Sequence, residues 1–384
     1  MKIELSDRLK NLPPYLFAKI DQMKNEVKKR GVDLIDFGVG DPDLPTPPFI
    51  VDALKEGLAQ SQYHRYPPYA GTEEFRFEIA EWFFKRFQVR LDPNKEILVL
   101  IGSKEGIGHL PLALVNPHDG VLYTTPGYPV YKAATQFAAG IPIPVPLKLE
   151  NNFLPDLSNL AEGAKLFYFN YPNNPTSATA SLYFFDEVVH WAEKTGTILC
   201  HDAAYSEIYL SHEPSPSILQ IPGAKEVAIE FHSLSKTFNM TGWRIGFAAG
   251  NEKLIEALGK LKTNLDSGQF KAIQHAAAIA LQRGDDFVES QRQIMRKRRD
   301  SLLAVLKKMG IEYFEPRATF YVWAKTPKST PSIDFCSELL MKYGIVTTPG
   351  IGFGEEGEGF FRFSLTVPEE KIDEAGNRLY RHRL

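Results

Sequence analysis

Between residues 96 and 250 the chain alternates short apolar runs with longer helix-like stretches, and few architectures accept that rhythm. The runs are "EILVLIG", "GVLYTT", "IPIPVPL", "KLFYFN", "TILCHD", "VAIEFHS" and "IGFAAG". Each has the length of a buried strand, and segments between them such as "SLYFFDEVVHWAEKTG" carry a helical pattern. Strands that recur with helices between them pair mainly in parallel, because a parallel neighbour needs a long crossover. The reading is an α/β protein whose large domain is built on a mainly parallel seven-stranded sheet.

In such sheets ligands bind just beyond the carboxyl ends of the strands. The polar residues at those ends are Gly102, Ser103 and Lys104 after the first run, Asn170 to Thr176 after "KLFYF", and Asp202 after "TILCH". After about residue 285 the texture changes. A long polar helix, "DDFVESQRQIMRKRRDSLLAVLKKMG", leads into "TFYVWAK", another helix and "EGFFRFSLT", which reads as a smaller α+β domain. The expected division is 1–45 as an N-terminal arm and part of the small domain, 46–285 as the large domain, and 286–384 as the C-terminal small domain. The run "RKRR" at 296–299 reads as a solvated helix face.

Charge and cysteine usage exclude several classes. Lysines and arginines number 44 against 47 acidic residues, so the net charge of −3 argues against a nucleic-acid partner. Only Cys200 and Cys336 occur, too few for a disulfide framework or a cysteine-rich zinc site, and no metal is expected. Cys200, in the apolar "TILC", reads as a buried, inert thiol. The N-terminal "MKIELSDRLKNLPPYLF" lacks an apolar signal core and no segment reads as a membrane span. A cytoplasmic, reduced protein with no membrane partner is the expectation.

The chemistry centres on "SLSKTFNMTGWRIG", residues 233–246. A lysine among hydroxyls is ordinarily a solvated charge, and one that reacts needs fixed neighbours. Ser233 and Arg244 flank Lys236 and could bind a phosphate, arginine through its planar fork. "IGSKEGIGHLPLALV" reads as a strand, a tight turn and a helix beginning near Ser103, whose free N–H groups suit an anion. "HDAAYSEIY" puts Asp202 at a strand end, where it could keep the nitrogen of a bound pyridine protonated. Tyr205 could hydrogen-bond that ring's 3-oxygen, as could Asn174 from the proline-fixed turn "NYPNNPTS". Tyr128, in "TPGYPVY", could stack on the ring. Singly these signals are weak, since a strand-end aspartate often caps a helix and "NNP" is a common turn. Their joint order carries the weight.

That order resembles the fold-type I pyridoxal-phosphate enzymes, and specifically the class I/II aminotransferases. The resemblance runs from "IDFGVGDPDLPTP" through "YPPYAGTEEFR", "NNPT", "HDAAY" and "SLSKTFNMTGWRIG" to "FFRFSLT". It implies pyridoxal 5'-phosphate as cofactor, amino acids and 2-oxo acids as substrates, and a homodimer. By resemblance, Lys236 bonds covalently to the cofactor and carries the substrate proton, with Asp202 and Tyr205 as its catalytic partners. Asp202 faces the ring nitrogen, Tyr205 and Asn174 the 3-oxygen, and Tyr128 the ring face. Ser103, Lys104, Ser233 and Arg244 hold the phosphate, and Tyr66 reaches the phosphate of the partner subunit's site. Arg362 matches the arginine that clamps the substrate α-carboxylate. One departure is visible: the usual glycine after "NPT" is Ser177, which costs little unless the turn requires φ > 0.

The stretches "PPYLFAKI", "IPGAKEVAIE" and "VTTPGIGFGEEGEGFFRFS" are similar to those of the LL-diaminopimelate aminotransferases. That likeness implies amino transfer between LL-2,6-diaminopimelate and 2-oxoglutarate, with Tyr15, Gly40 and Asn174 joining Arg362 around the substrate. His64 and Arg65 stand where the plant-type branch has an acidic residue before the tyrosine matched by Tyr66. A cation there would oppose a distal ammonium, and Lys104 and Arg65 favour carboxylates, so aspartate aminotransferase is the runner-up; alanine aminotransferase stands beside it as an alternative. A pyridoxal-phosphate lyase would share the scaffold. A cofactor-sensing regulator would need a DNA-binding domain, for which roughly forty residues before "DFGVGDPD" leave no room. A non-catalytic homologue should have lost Lys236 or Asp202, and both are present.

Overall fold

The computed structural model describes residues 3–10, 12 and 16–381. In chain order the first strands are β1 (Ile35–Asp36), β2 (Ile97–Leu100), β3 (Gly120–Thr125), β4 (Ile141–Pro146), β5 (Leu166–Asn170) and β6 (Ile198–Asp202). They are followed by β7 (Ala228–Ser233), β8 (Gly246–Gly250), β9 (Tyr321–Lys325), β10 (Ile345–Val346), β11 (Thr348–Pro349) and β12 (Phe360–Ser364).

The seven apolar runs form one sheet in the order β2-β8-β7-β6-β5-β3-β4. From β7 to β4 every pairing is parallel, whereas β8 runs antiparallel to both β2 and β7. Side chains alternate across the sheet, so each face needs its own cover. On one face Leu98, Leu100, Cys200, Phe231 and Ala248 pack with Ile107, Leu110, Tyr131 and Leu258 from helices. On the other, Val99, Leu199, Phe247 and Ala249 pack with Phe83, Phe185, Val188 and Ala277. The helices behind these contacts begin and end on local signals. Ser181 Oγ accepts from Phe184 N, and Gly196 closes the same helix, Leu182–Thr195, in the left-handed conformation.

The second face also buries a polar knot. Glu230 accepts hydrogen bonds from Ser217 Oγ and Ile218 N, and both its oxygens also lie against histidine nitrogens, His201 Nδ1 at 2.8 Å and His232 Nε2 at 2.6 Å. Burial raises the carboxyl's pKa, but the bonds to His201 and His232 outweigh it and hold Glu230 far below the usual carboxylate range. On the opposite face from this knot lies Asp202, one residue after His201 in β6.

A second core gathers around the antiparallel sheet β11-β12-β9, with Leu302, Leu306, Phe335, Leu339, Phe361, Phe363 and Ile372 buried together. β1 pairs in parallel with β10 and so ties an early segment of the chain to this late one. The long helix expected after residue 285 spans Asp285–Lys308. The "RKRR" run, expected to be a solvated face, is not one throughout. Arg298 is buried and clasps Asp43 with bonds of 2.7 and 2.8 Å, because its position in the helical repeat turns it inward. Cys200 is buried, and burial pushes its thiol well above the ordinary value.

Candidate active site

The polar strand ends converge at one edge of the large sheet. Asn170 closes β5, Asp202 closes β6 and Ser233 closes β7, with Asn170 beside Asp202 in register. β8 runs the other way and therefore starts at this edge. Its first residue, Gly246, lies between Leu100 of β2 and Ser233 of β7, which brings Arg244 and the helix Ser103–Leu114 to the same place.

The arrangement there suits a phosphate. Gly102, left-handed at φ 79°, precedes the helix Ser103–Leu114 and provides no side-chain cap. A Cβ on Gly102 would stand 2.3 Å from Arg244 Nη2, and one on Gly246 would stand 2.9 Å from Ser103 N. Missing side chains thus let a guanidinium and a helix start close on one small space, a donor set made for an anion. Ser233 caps the short helix Leu234–Thr237, its hydroxyl accepting from Ser235 N at 3.2 Å. Lys104 is exposed, with its Nζ 6.0 Å from the centre of the Tyr128 ring.

Lys236 points from that short helix to the Gly40 carbonyl, its Nζ donating at 2.9 Å. Burial lowers its pKa to about 8; Asp41 opposes the shift, while Arg244 and Arg362 reinforce it. An amine of that kind is close to half neutral near its pKa and can act as nucleophile or base. Asp202, 5% exposed, accepts at Oδ2 from Tyr131 OH at 2.8 Å. Burial raises its pKa, and the bonds from Tyr131 and Ala204 N work against that rise. A pyridinium N–H is the kind of charged partner that such a buried carboxylate would favour.

Tyr205 OH lies 3.0 Å from Tyr321 OH, and burial lifts the Tyr205 phenol well above its ordinary pKa. Asn174 Oδ1 accepts from Arg362 Nη1 at 2.7 Å, which leaves the amide N–H₂ of Asn174 as a donor. Arg362 is 4% exposed, reaches Gly38 O with Nη2 at 3.0 Å and lies 4.0 Å over the Tyr321 ring. Its Nε is buried and has no hydrogen-bond partner among the described residues. A buried cation with an unused donor is a ready carboxylate site.

Several sequence-derived candidates lie elsewhere. Tyr15 falls outside the described residues. Tyr66 stands 85% exposed after the 3-10 turn Ser61–His64. His64 Nε2 lies 3.0 Å from Leu58 O, and its ring packs 5.9 Å from Phe270, so this side chain is engaged locally. Ser177 adopts φ 64°, so its turn does require the left-handed conformation in which a serine is less comfortable than glycine.

Two residues of the site were not found from the sequence. Tyr131 follows Tyr128 by three positions, and the two rings meet edge to face at 5.9 Å; its nearness to Tyr128 in "YPVY" was the available signal. Tyr321, which touches both Tyr205 and Arg362, carries no local signal beyond its place in "TFYVWAK".

The sequence signature of Aminotransferase class I and II spans residues 32–379. The chain belongs to that family, whose members depend on pyridoxal 5'-phosphate, and it is an aminotransferase. More particularly, it is 55% identical over 380 residues to an LL-diaminopimelate aminotransferase of Aquifex aeolicus, covering 98% of both chains. Among solved structures, it is similar to a probable N-succinyldiaminopimelate aminotransferase of Thermus thermophilus, with a TM-score of 0.91, 36% identity and coverage of 96% and 100%. An aspartate aminotransferase mutant of the same organism superimposes with a TM-score of 0.93 at 28% identity, covering 99% and 100%.

Proposed function

We propose that the protein transfers the amino group of LL-2,6-diaminopimelate to 2-oxoglutarate, giving tetrahydrodipicolinate and glutamate. The substrate rests on one observation, the 55% identity along 98% of the chain to a relative of that name. When bound, pyridoxal 5'-phosphate supplies an aldehyde that condenses with amines and a ring that draws electrons from the substrate Cα. Lys236 is the residue that holds it covalently and, once released, takes and returns the Cα proton at Nζ. Its lowered pKa keeps enough neutral amine for that work near neutrality.

In this reading Asp202 holds the ring nitrogen protonated, and the Tyr131 phenol favours the charged form of Asp202. Tyr205 and Asn174 hold the 3-oxygen, and Tyr128 covers the ring. Ser103, Lys104, Ser233 and Arg244 bind the phosphate. Arg362 orients the amino acid through its α-carboxylate, and the backbone at Gly40 borders the same space as the Lys236 amine. The assembly is a homodimer in which Tyr66 reaches the partner's phosphate, and the location is cytoplasmic. No described helix is long and apolar enough to cross a membrane.

A half-reaction screen of the loaded protein tests the substrate by following the change of its visible band. LL-diaminopimelate should react most efficiently, ahead of meso-diaminopimelate, aspartate, alanine and aromatic amino acids. Efficient reaction with aspartate and none with LL-diaminopimelate would replace this substrate with the aspartate alternative, which Lys104 and Arg65 favour by charge.

A further inference from the structure

Ser177 and Thr319 are both fully buried, and both hold φ 64°. That conformation is unfavourable for any residue with a Cβ, and most of all for a β-branched threonine. Two such residues in contact require an explanation, and the hydrogen bonds supply it. Ser177 Oγ donates to the Tyr321 carbonyl at 2.6 Å, since a carbonyl can only accept. Its single hydrogen is then in use, so in the 2.9 Å contact between the hydroxyls Thr319 donates and Ser177 accepts. Thr319 Oγ1 in turn accepts from Tyr321 N at 3.0 Å. The chain closes on itself around the backbone of Tyr321. Because β9 is an edge strand, the two hydroxyls satisfy backbone groups at its first residue.

The residue held in this way is the hub of the site. The Tyr321 hydroxyl meets Tyr205 OH at 3.0 Å, and its ring underlies the Arg362 guanidinium at 4.0 Å. A Cβ on Gly40 would stand 2.0 Å from the same hydroxyl oxygen, so Tyr321 also abuts the segment that receives Lys236. We propose that Ser177 is a positioning residue whose hydroxyl closes the hydrogen-bond ring that sets Tyr321, and through Tyr321 orients Arg362 toward a carboxylate substrate and fixes the Tyr205 hydroxyl beside it. A glycine at this position would ease the backbone but leave the Tyr321 carbonyl without the Ser177 donor and the Thr319 O–H without the Ser177 acceptor.

This inference rests on reading Arg362 as the carboxylate clamp, and the test separates the two. The probe is glutarate, a dicarboxylate without an amine, titrated calorimetrically into cofactor-loaded wild type, Ser177→Ala, Ser177→Gly and Arg362→Ala. Both Ser177 variants should bind glutarate about fivefold more weakly, the equivalent of one lost hydrogen bond. Their melting temperatures should diverge: Ser177→Ala keeps the strained backbone and melts lower, whereas Ser177→Gly relieves it and stays near wild type. Affinity that merely tracked stability, with Ser177→Gly binding as wild type does, would overturn the assignment. Glutarate binding indifferent to Arg362→Ala would remove the clamp reading instead. Crystal structures of both Ser177 variants decide the positioning role in either case. Displacement of Tyr321 OH from Tyr205 OH supports it, and retention of the 3.0 Å contact in both refutes it.

Discussion

Lys236, the proposed cofactor lysine, is buried at a cost to the fold that pH should reveal. Its pKa falls from 10.5 in the free side chain to about 8, with burial as the main cause. Below pH 8 the folded cofactor-free chain must keep a proton on a desolvated amine, whereas the unfolded chain keeps it without penalty. The unfolded state binds more protons between pH 8 and 10.5, so stability rises with pH across that window and the penalty is full below it. Lys236→Met should therefore stabilise the cofactor-free protein at pH 7. The expected gain is roughly 2 kcal/mol, from about 1.4 per pKa unit less about 1 for the lost bond to Gly40 O. That gain should shrink as pH rises from 8 to 10.5 in thermal or urea unfolding. A less stable variant at pH 7 would contradict the argument. The lysine itself was legible in "SLSKTFNMTGWRIG", because its neighbours in sequence are its signal. Its approach to the Gly40 carbonyl, 196 positions away, was not.

Among the elements, the helix Asp285–Lys308 does more than cover the second core. Gln291 Nε2 donates to the Lys236 carbonyl at 2.9 Å, and Arg298 joins Asp43 and the Leu365 carbonyl. One helix thus braces the lysine segment and the "DPDLPTP" segment together. Arg298 is nearly enclosed while Asp43 is partly open, so removing the carboxylate leaves a buried guanidinium short of its counter-charge. Asp43→Ala should cost about 3 kcal/mol in urea unfolding, and Asp43→Ala with Arg298→Met should recover part of that loss. A cost below about 0.5 kcal/mol for Asp43→Ala would mean that the pair is effectively solvated. The length and position of this helix were legible in its polar period. Which of the four cations in "RKRR" turned inward was not, because inward and outward are set by the partner surface.

At the scale of the whole molecule, the proposed homodimer gives an exposed tyrosine its reason. Tyr66 at 85% exposure and Tyr69 at 51% present aromatic surface from one short segment. If Tyr66 completes the partner's phosphate site, Lys236→Ala chains and Tyr66→Phe chains are defective in different halves of the same assembly. Co-refolding the two in equal amounts should produce mixed dimers with one intact site each, and about a quarter of wild-type activity overall. Activity no higher than the sum of the separate variants, from chains shown to exchange, would exclude a shared site.

The local sequence determined the apolar rhythm of the large sheet, the helix start at Ser103 and the strand-end position of Asp202, because each depends on residues within a few positions of one another. Long-range packing decided the rest. The antiparallel course of β8 follows from pairing with β2 and β7, and it is what carries Arg244 to the helix start. The Tyr131 phenol meets Asp202 across 71 positions, and Ser177 meets Tyr321 across 144. Neither bond has a period or a motif, since both arise where separate elements fold against each other and a buried polar group must find a partner.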